Sequence, residues 1–314
     1  MKKLARVLSI LLLLVSVAIT FIWFQRPADI SFDELRATVP HAENSHFADV
    51  DGLRAHYQEK GSGPVLLLIH GYAASTYTWK DVFAPLAQHF RVIAVDLKGF
   101  GFTAKPDGDY SRPAQAEFLA HFLDSLRIDK ATLVGNSMGG EVALNFALKY
   151  PQRVDKLILV DSAGVKVNFG SLSPAFAQWP VIGPALTAVA LTSDKLVRRG
   201  LEKSFTDPSK ISDAEVAYYH RPLQTAGGQR AAYLARRQAA DFPIEDRIPT
   251  IKTPTLILWG AEDRLIPVEA GRKLNALIND SRFVVYEQCG HIPQEEMPEK
   301  VIRDIVGFAA APVK

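Results

Sequence analysis

The segment Gly135-Asn136-Ser137-Met138-Gly139 constrains the fold of this 314-residue chain more than any other feature. Residues 131–134, directly before it, predict a buried strand, and residues 141–150 carry apolar side chains at helical spacing. Ser137 is therefore predicted to lie on a tight strand-to-helix corner with a glycine two positions away on each side. Backbone approaches backbone closely in such a corner, and larger side chains there would clash.

The rest of the chain alternates between strand and helix patterns. Continuous apolar runs, typical of strands buried on both faces, alternate with segments of helical periodicity, which predicts a doubly wound, mostly parallel sheet. The turn pair Asp51-Gly52 joins two candidate strands near the start of this region. The predicted strands cover residues 46–50, 53–59, 65–69, 91–95, 131–134, 157–160, 255–259 and 283–286, and the predicted helices cover residues 79–88, 113–126, 141–150, 268–277 and 295–308.

One long segment interrupts this alternation. Residues 165–247 contain no convincing buried strand and several amphipathic helical pieces, which predicts a helical cap inserted into the sheet domain. The predicted domain organisation is a signal anchor or transmembrane helix (1–26), a linker (27–45), a first core part (46–164), the cap (165–247) and a second core part (248–314).

The N-terminal residues resemble a membrane signal. Lys2, Lys3 and Arg6 precede an uncharged run at residues 7–24, which ends in bulky aromatic residues rather than a small-residue cleavage site. This pattern favours an uncleaved, single-pass anchor that attaches the protein to a membrane, over a secreted protein whose signal is removed. The basic residues before the run predict that the folded domain lies on the non-cytoplasmic side, which would be the periplasm in a bacterium.

Composition excludes several classes of partner and site. A formal net charge of +2 argues against a nucleic-acid-binding protein. The single cysteine, Cys289, excludes an intramolecular disulfide and a Cys-rich metal site. No pattern in the sequence implies a metal ion or an organic cofactor.

The predicted corner is also a site for nucleophilic chemistry. A serine hydroxyl is a weak nucleophile and needs a basic partner. Where a nucleophilic serine lies on such a strand-to-helix corner, the chain order is serine, acid, histidine. Of the two histidines that follow Ser137, His220 falls in the predicted cap, whereas His291 follows the last predicted strand. We therefore predict that His291 is the base.

A third residue must orient the base. Asp263 lies just past the predicted strand 255–259, where ligands and catalytic groups gather in open α/β sheets. Two rivals remain: Asp161, which also ends a predicted strand, and Glu262, which is adjacent. Chain order and loop placement favour Asp263 over Asp161.

Acyl transfer further requires donors for the developing oxyanion. The backbone N–H of Met138 is one expected donor, since it follows the nucleophile. The loop after strand 65–69 should supply the second, for which Tyr72 is the first choice and Ala73 the fallback. His70, which precedes Ser137 in the chain, is interpreted as a loop-bracing residue.

Together these motifs resemble the α/β-hydrolase superfamily, serine-nucleophile branch, over roughly residues 46–310. The resemblance rests on His70-Gly71, Asp96-Leu97-Lys98-Gly99-Phe100-Gly101, the corner with its additional Gly140, Trp259-Gly260-Ala261-Glu262-Asp263, and Gly290-His291. It implies that Asp96, Gly99 and Gly101 are structural. The serine at position 137 excludes the mechanism of relatives that use an aspartate nucleophile.

The resemblance also implies a function, without fixing the substrate. Membrane-anchored monoacylglycerol lipases and esterases share the corner sequence, and hydrolases that split carbon–carbon bonds in ring-fission products have similar core motifs. The predicted anchor favours a serine hydrolase acting on ester or lipid substrates with apolar acyl groups. The C–C bond hydrolase and a non-catalytic ligand-binding homologue are the alternatives. Phe176 and Trp179 in the cap are predicted to line an apolar acyl pocket, although packing of cap onto core also accounts for their apolar segment.

Overall fold

The computed structural model describes residues 2–24, 30–167, 182–240 and 243–311. The two predicted pocket residues of the cap, Phe176 and Trp179, lie outside the described residues. The structure therefore does not place these two side chains, and their role in substrate binding stays a prediction.

A single mostly parallel sheet forms the centre of the described structure. Its eight strands run in the spatial order β1-β2-β4-β3-β5-β6-β7-β8, in which β1 and β2 are antiparallel to their neighbours and β3 to β8 are mutually parallel. The predicted α/β architecture with a mostly parallel sheet is thereby confirmed. The strands are β1 (Ser45–Val50), β2 (Leu53–Lys60), β3 (Val65–Ile69), β4 (Arg91–Val95), β5 (Ala131–Asn136), β6 (Val154–Val160), β7 (Thr255–Gly260) and β8 (Ser281–Tyr286).

The first two strands form the hairpin that the turn pair predicts. Val50 pairs with Leu53, and the two residues between them, Asp51 and Gly52, have φ angles of 53° and 80°. Positive φ at both central positions is the mark of the type I′ turn, whose twist matches that of the flanking strands.

Twelve α-helices lie among the described residues. Helices α6 to α9 fall between β6 and β7, within the predicted cap segment, while the five-part domain division itself stays a prediction. The helices are α1 (Lys2–Phe24), α2 (Phe32–Leu35), α3 (Lys80–Leu86), α4 (Arg112–Ser125), α5 (Met138–Lys149), α6 (Ile182–Thr192), α7 (Asp194–Ser204), α8 (Asp213–His220), α9 (Ala226–Arg237), α10 (Val268–Leu277), α11 (Pro293–Glu296) and α12 (Pro298–Ala309).

The parallel strands are buried on both faces, as their continuous apolar runs predict. In β3, Leu66 and Leu68 pack with side chains of α3 and α12, whereas Leu67 and Ile69 pack with side chains of α4, α5 and α10. Successive strand residues point to opposite faces, so an uninterrupted apolar strand supplies two cores at once. Helices therefore cover the sheet on both sides.

The C-terminal region differs from its prediction. The sequence pattern predicts a single helix over residues 295–308, but the structure has α11 and α12, separated at Met297. Pro298 lacks an N–H and disfavours helical backbone at the preceding residue. Met297 accordingly has φ −137° and ψ 54°, which ends one helix and begins the next.

The N-terminal prediction requires a correction. Helix α1 spans Lys2–Phe24, yet none of the described helices has both the length and the apolar character that crossing a bilayer demands. This finding contradicts the predicted single-pass, membrane-anchored localisation and does not support the predicted anchor over residues 1–26 or the membrane as its partner. The prediction relied on the length of the uncharged N-terminal run. A membrane-spanning helix needs such a run, but the run alone does not prove that the helix spans a membrane.

Candidate active site

The predicted functional residues meet at one edge of the sheet. Ser137 follows β5, Asp263 follows β7, His291 follows β8, and Tyr72 lies in the loop after β3. Parallel strands align their carboxyl ends, so residues that are far apart in sequence converge there. The fold itself thus brings together the residues singled out in the sequence.

Ser137 occupies a strained corner. Its φ is 54° and its ψ is −118°, a backbone conformation that residues with a Cβ rarely adopt. Its backbone is tied on both sides: the N–H donates to the carbonyl oxygen of Val160 at 2.9 Å, and its carbonyl oxygen accepts from the N–H of Gly140 at 3.0 Å. The half-buried side chain is thereby presented at the start of α5.

The glycines around Ser137 are required by close backbone approach. A Cβ on Gly135 would lie 2.4 Å from the carbonyl oxygen of Gly139, and a Cβ on Gly140 would lie 2.1 Å from Oγ of Ser162. Both distances are shorter than any real contact of this kind. The predicted steric need for small residues at the corner is confirmed.

Replacing Gly139 with alanine is expected to destabilise the fold by about 3 kcal/mol or more. The new Cβ would lie 2.3 Å from the carbonyl oxygen of Ile69 and 2.5 Å from that of His70. These are backbone atoms at the end of β3, which can move only by disturbing the sheet. Thermal unfolding followed by circular dichroism measures the effect as a lowered Tm.

The matched control is Gly307→Ala in α12. Nothing lies within 4 Å of a Cβ at that position. Alanine in an open helical position is expected to stabilise the protein by about 0.5–1 kcal/mol. A Tm for Gly139→Ala at or above that of the wild type would contradict the account of the corner.

His291 and Asp263 form a buried pair. Nδ1 of His291 donates to Oδ2 of Asp263 at 2.7 Å, and the other carboxyl oxygen of Asp263 accepts from the backbone N–H groups of Leu265 and Ile266 at 2.7 and 2.9 Å. Both side chains are nearly fully buried. An acid held in this way fixes the ring so that Nε2 is left to accept a proton.

The loop that carries His291 is attached to the cap and the corner. The backbone N–H of His291 donates to the carbonyl oxygen of Ser204 in α7 at 2.8 Å. Oε1 of Glu296 accepts from the N–H of Gly290 at 2.7 Å, and Nδ2 of Asn136 donates to the carbonyl oxygen of His291 at 3.2 Å. These bonds fix the position of the histidine relative to Ser137.

The loop after β3 lies against the corner. A Cβ on Gly71 would be 3.2 Å from Cβ of Ser137, and the phenol of Tyr72 donates to the carbonyl oxygen of Ala232 in α9 at 3.1 Å. Met138 is the first residue of α5, where backbone N–H groups have no acceptor within the helix. Tyr72 and Met138 thus belong to segments that adjoin Ser137, and the role of their N–H groups as oxyanion donors stays a prediction.

His70 braces this loop, as expected. Its Nε2 accepts from the N–H of Leu97 at 3.0 Å, so its proton is on Nδ1, which donates to the carbonyl oxygen of Gly71 at 2.7 Å. Burial lowers the pKa of His70 and favours this neutral form.

Asp96 is structural, as the family resemblance implies. Its carboxylate accepts from the N–H groups of Thr76 and Phe102 at 2.7 and 2.9 Å and from Nδ1 of His56 at 2.7 Å. A Cβ on Gly101 would lie 2.0 Å from its Oδ2. The glycine thus allows the turn to close over the carboxylate.

The rival residues occupy other positions. His220 pairs with Asp194 within the cap rather than with Asp263. Asp161 directly follows β6 and is fully buried, but His291 is hydrogen-bonded to Asp263. Glu262 lies in the same loop as Asp263 and is exposed to solvent.

A cavity of about 540 Å³ opens onto the serine and the histidine. This is within the usual size range for small-molecule sites. The cap supplies most of its apolar lining, from Ala190, Leu191, Leu196, Val197, Leu201 and Leu223, while core loops add Leu265, Ile266 and Ile292. Its polar lining comprises Thr78, Arg112, Asn136, Ser137, Lys203, Ser204, Tyr219, Arg236 and His291.

Arg112 is the buried cation of this cavity and already has partners. Its Nε bonds to Glu141 at 2.9 Å, and one terminal nitrogen donates to the carbonyl oxygen of Ala235 at 3.0 Å. The other two cations of the lining, Lys203 and Arg236, are exposed.

One cluster among the described residues has the spacing of a metal site. Asp161, Asp263 and His291 each offer a ligand atom, and these atoms lie within 4.8 Å of one another. However, Oδ2 of Asp263 and Nδ1 of His291 are hydrogen-bonded to each other at 2.7 Å, which accounts for the proximity of two of the three residues.

Several residues of the site escaped sequence reasoning. Asn136, Glu296 and Ser204 hold the histidine loop, and Leu201 and Leu223 form part of the cavity wall. Only Asn136 carried a signal, since it belongs to the corner itself. The others act through contacts between distant segments, which a single sequence does not reveal.

Comparison with known proteins agrees with this geometry. The family described as alpha/beta hydrolase fold matches residues 64–298. The 2-hydroxy-6-oxo-6-(2'-aminophenyl)hexa-2,4-dienoic acid hydrolase of Metapseudomonas resinovorans is 33% identical over 272 residues, which cover 83% of this chain and 89% of that protein.

Several solved structures of hydrolases resemble the fold of this chain. A meta-cleavage product hydrolase from Pseudomonas fluorescens IP01 superposes with a TM-score of 0.74 and 28% identity, covering 85% of this chain and 98% of that one. A membrane phospholipase A, described as a bacterial virulence factor, superposes with a TM-score of 0.75 and 29% identity, covering 97% of this chain and 98% of that one. The predicted family is thereby confirmed: this chain belongs to the α/β-hydrolase fold family and is similar throughout its core to hydrolases.

Proposed function

We propose that this chain is a serine hydrolase that cleaves carboxylic esters with apolar acyl groups. The observation that carries the proposal is a cavity lined by Ser137 and His291, with the histidine paired to buried Asp263 and the cap supplying apolar walls. A serine on a strained corner, a base and an orienting acid are the parts that acyl transfer needs.

The proposed reaction proceeds in two halves. His291 Nε2 takes the proton of Ser137 as its oxygen attacks the ester carbonyl, and the resulting oxyanion accepts from the backbone N–H groups of Tyr72 and Met138. The imidazolium then protonates the departing alcohol, which leaves an acyl-serine. In the second half His291 activates water, the acyl group departs as a carboxylic acid, and Ser137 regains its proton.

The apolar lining supports an apolar acyl group as the bound part of the substrate. Six apolar cap residues surround the cavity, and burying an alkyl chain against them stabilises binding by about 0.8 kcal/mol per methylene. The structural likeness to a phospholipase A, an ester hydrolase by name, extends over 97% of this chain, against 85% for the meta-cleavage product hydrolase.

The second candidate is hydrolysis of a carbon–carbon bond in a ring-fission dienoate. The named relatives favour this candidate more directly than they favour ester hydrolysis, since several of them, at 30–33% identity, are named as hydrolases of such dienoates. Such a substrate carries a carboxylate, with which a cation of the site would form a strong, charge-assisted hydrogen bond. Among the described cavity residues, the buried cation Arg112 is paired with Glu141, and this leaves exposed Lys203 and Arg236 for that role.

A substrate panel on the purified full chain separates the two candidates. We expect kcat/KM for p-nitrophenyl octanoate to exceed that for p-nitrophenyl acetate by tenfold or more. The reason is that a single additional methylene bound in an apolar pocket can raise kcat/KM by about 10–200-fold. We expect kcat/KM for a 2-hydroxy-6-oxo-hexadienoate, followed by loss of its visible absorbance, to be lower still. The same assays with Ser137→Ala give the background.

The opposite ranking, with the dienoate preferred to both esters, would overturn the ester proposal and establish the second candidate. If the folded protein hydrolysed neither these compounds nor a monoacylglycerol, both proposed enzymatic functions would be rejected in favour of a ligand-binding role.

A further inference from the structure

A second buried carboxyl group adjoins the proposed catalytic triad of Ser137, His291 and Asp263. Asp161 follows β6, the strand beside β7, and its side chain is fully buried. Its Oδ1 accepts from the N–H of Gly260 at 2.9 Å. Among the described residues, no N–H or O–H group donates to its Oδ2.

Asp161 and Asp263 cannot both be ionised at low energetic cost. One carboxyl oxygen of each and one ring nitrogen of His291 lie within 4.8 Å of one another, and all three side chains are buried. Two negative charges at such a distance repel strongly in a medium of low dielectric, so the pair retains a proton.

The hydrogen bonds determine which carboxyl group keeps the proton. Asp263 accepts from three N–H donors: His291, Leu265 and Ile266. Asp161 accepts from one, Gly260. Donors stabilise the ionised form, so the charge belongs on Asp263 and the proton on the unpaired Oδ2 of Asp161.

The electrostatic surroundings agree with this assignment. Burial first, and then the charge of Asp263, raise the pKa of Asp161 well above its usual value, and Glu296 adds to the effect. Asp263, His291, Glu296 and Cys289 are the titratable groups packed around it. Burial likewise raises the pKa values of Glu296 and Cys289.

We propose that Asp161 is a neutral carboxylic acid at neutral pH, whose O–H donates to the carboxylate of Asp263 and extends the triad to a four-residue chain. It is a positioning residue, since it acts on the histidine only through Asp263. By occupying a lone pair of Asp263, it holds that carboxylate in the plane that faces Nδ1 of His291. The kinetic consequence rests on the proposed function, whereas the protonation state does not.

Two substitutions test this role. In Asp161→Asn an amide N–H replaces the acid O–H, and the amide carbonyl can still accept from Gly260. We expect kcat/KM to stay within about threefold of the wild type, the worth of one neutral hydrogen bond. Asp161→Ala removes the donor, and we expect kcat/KM to fall roughly 100-fold because the acid and the imidazole lose their alignment.

The pH profile separates positioning from simple loss of packing. Without the O–H donor, the negative charge of Asp263 is no longer partly neutralised by a hydrogen bond from residue 161. The carboxylate then stabilises the imidazolium of His291 more strongly than in the wild type. The acid limb of kcat/KM should therefore move to higher pH in Asp161→Ala and stay in place in Asp161→Asn. An Asp161→Asn variant as inactive as Asp263→Asn, or an Asp161→Ala variant with unchanged rate and limb, would overturn the proposal.

Difference infrared spectroscopy tests the proton without using activity. In the full chain at pH 7, the spectrum of Ser137→Ala minus that of Ser137→Ala/Asp161→Asn should show the C=O band of a protonated carboxylic acid. Because an amide and a carboxylic acid are nearly isosteric, both proteins are expected to fold. Absence of the band refutes the neutral Asp161 even if the triad is active, and its presence supports it even if the triad proves inactive.

Discussion

Replacing Ser137 with alanine is expected to lower kcat/KM by about 10⁴-fold or more while leaving the fold intact. The substitution removes the atom that attacks the carbonyl, and alanine keeps the steric size that the corner accepts. The side chain makes no contact that stabilises the helix, since no side-chain cap is present at the start of α5. Initial rates on the preferred compound of the substrate panel measure the loss, and circular dichroism checks the fold.

Ser125→Ala serves as the matched control for this variant. Ser125 is an exposed serine at the end of α4, where its hydroxyl donates to the carbonyl oxygen of Phe122. Its replacement should leave kcat/KM unchanged. If Ser137→Ala retained wild-type activity in a protein that folds, another residue would have to be the nucleophile.

The second large effect is expected for Asp263→Asn, with kcat/KM falling by about 10⁴-fold. An amide at this position can donate to Nδ1 of His291 and so favour the ring tautomer whose proton is on Nε2. That proton would block the nitrogen that must accept from Ser137. The amide also removes the negative charge that stabilises the imidazolium.

The exposed Asp280 offers the control, because its side chain lies outside the site and Asp280→Asn should keep wild-type activity. The relevant comparison is with Asp161→Asn, which we expect to be nearly neutral. A larger loss in Asp161→Asn than in Asp263→Asn would move the role of the acid from the loop after β7 to the end of β6.

Local patterns predicted the parts of the fold that local physics controls. Continuous apolar runs predicted strands such as Val65–Ile69, which is buried on both faces, and Asp51-Gly52 predicted the hairpin turn. The corner at Ser137 was predictable because its glycines are needed within a few residues of one another. Chain order, in turn, predicted the pairing of His291 with Asp263.

The remaining features depend on contacts between distant segments. Nothing near Ser204 indicates that its carbonyl oxygen accepts from His291, and nothing near Glu296 indicates that it holds Gly290. The unpaired oxygen of Asp161 is visible only after β6 and β7 are placed side by side. Sequence reasoning therefore treated Asp161 as a rival of Asp263, whereas the structure packs the two together.

Two other predictions, of one continuous terminal helix and of a membrane anchor, were wrong. The terminal helix is broken at Pro298, a local signal that the periodicity argument overlooked. The membrane anchor was inferred from the charge, the length and the aromatic end of the N-terminal run, and no described helix supports it.

The central claim is that His291 and Asp263 activate Ser137 as a nucleophile, and labelling by a fluorophosphonate probe tests it most directly. Such a probe reacts with an activated serine, and peptide mass spectrometry locates the adduct. The account predicts a single adduct on Ser137 in the wild type and a labelling rate at least about 100-fold lower in His291→Ala. An adduct elsewhere in the chain, or equal labelling rates for the two proteins, would contradict it.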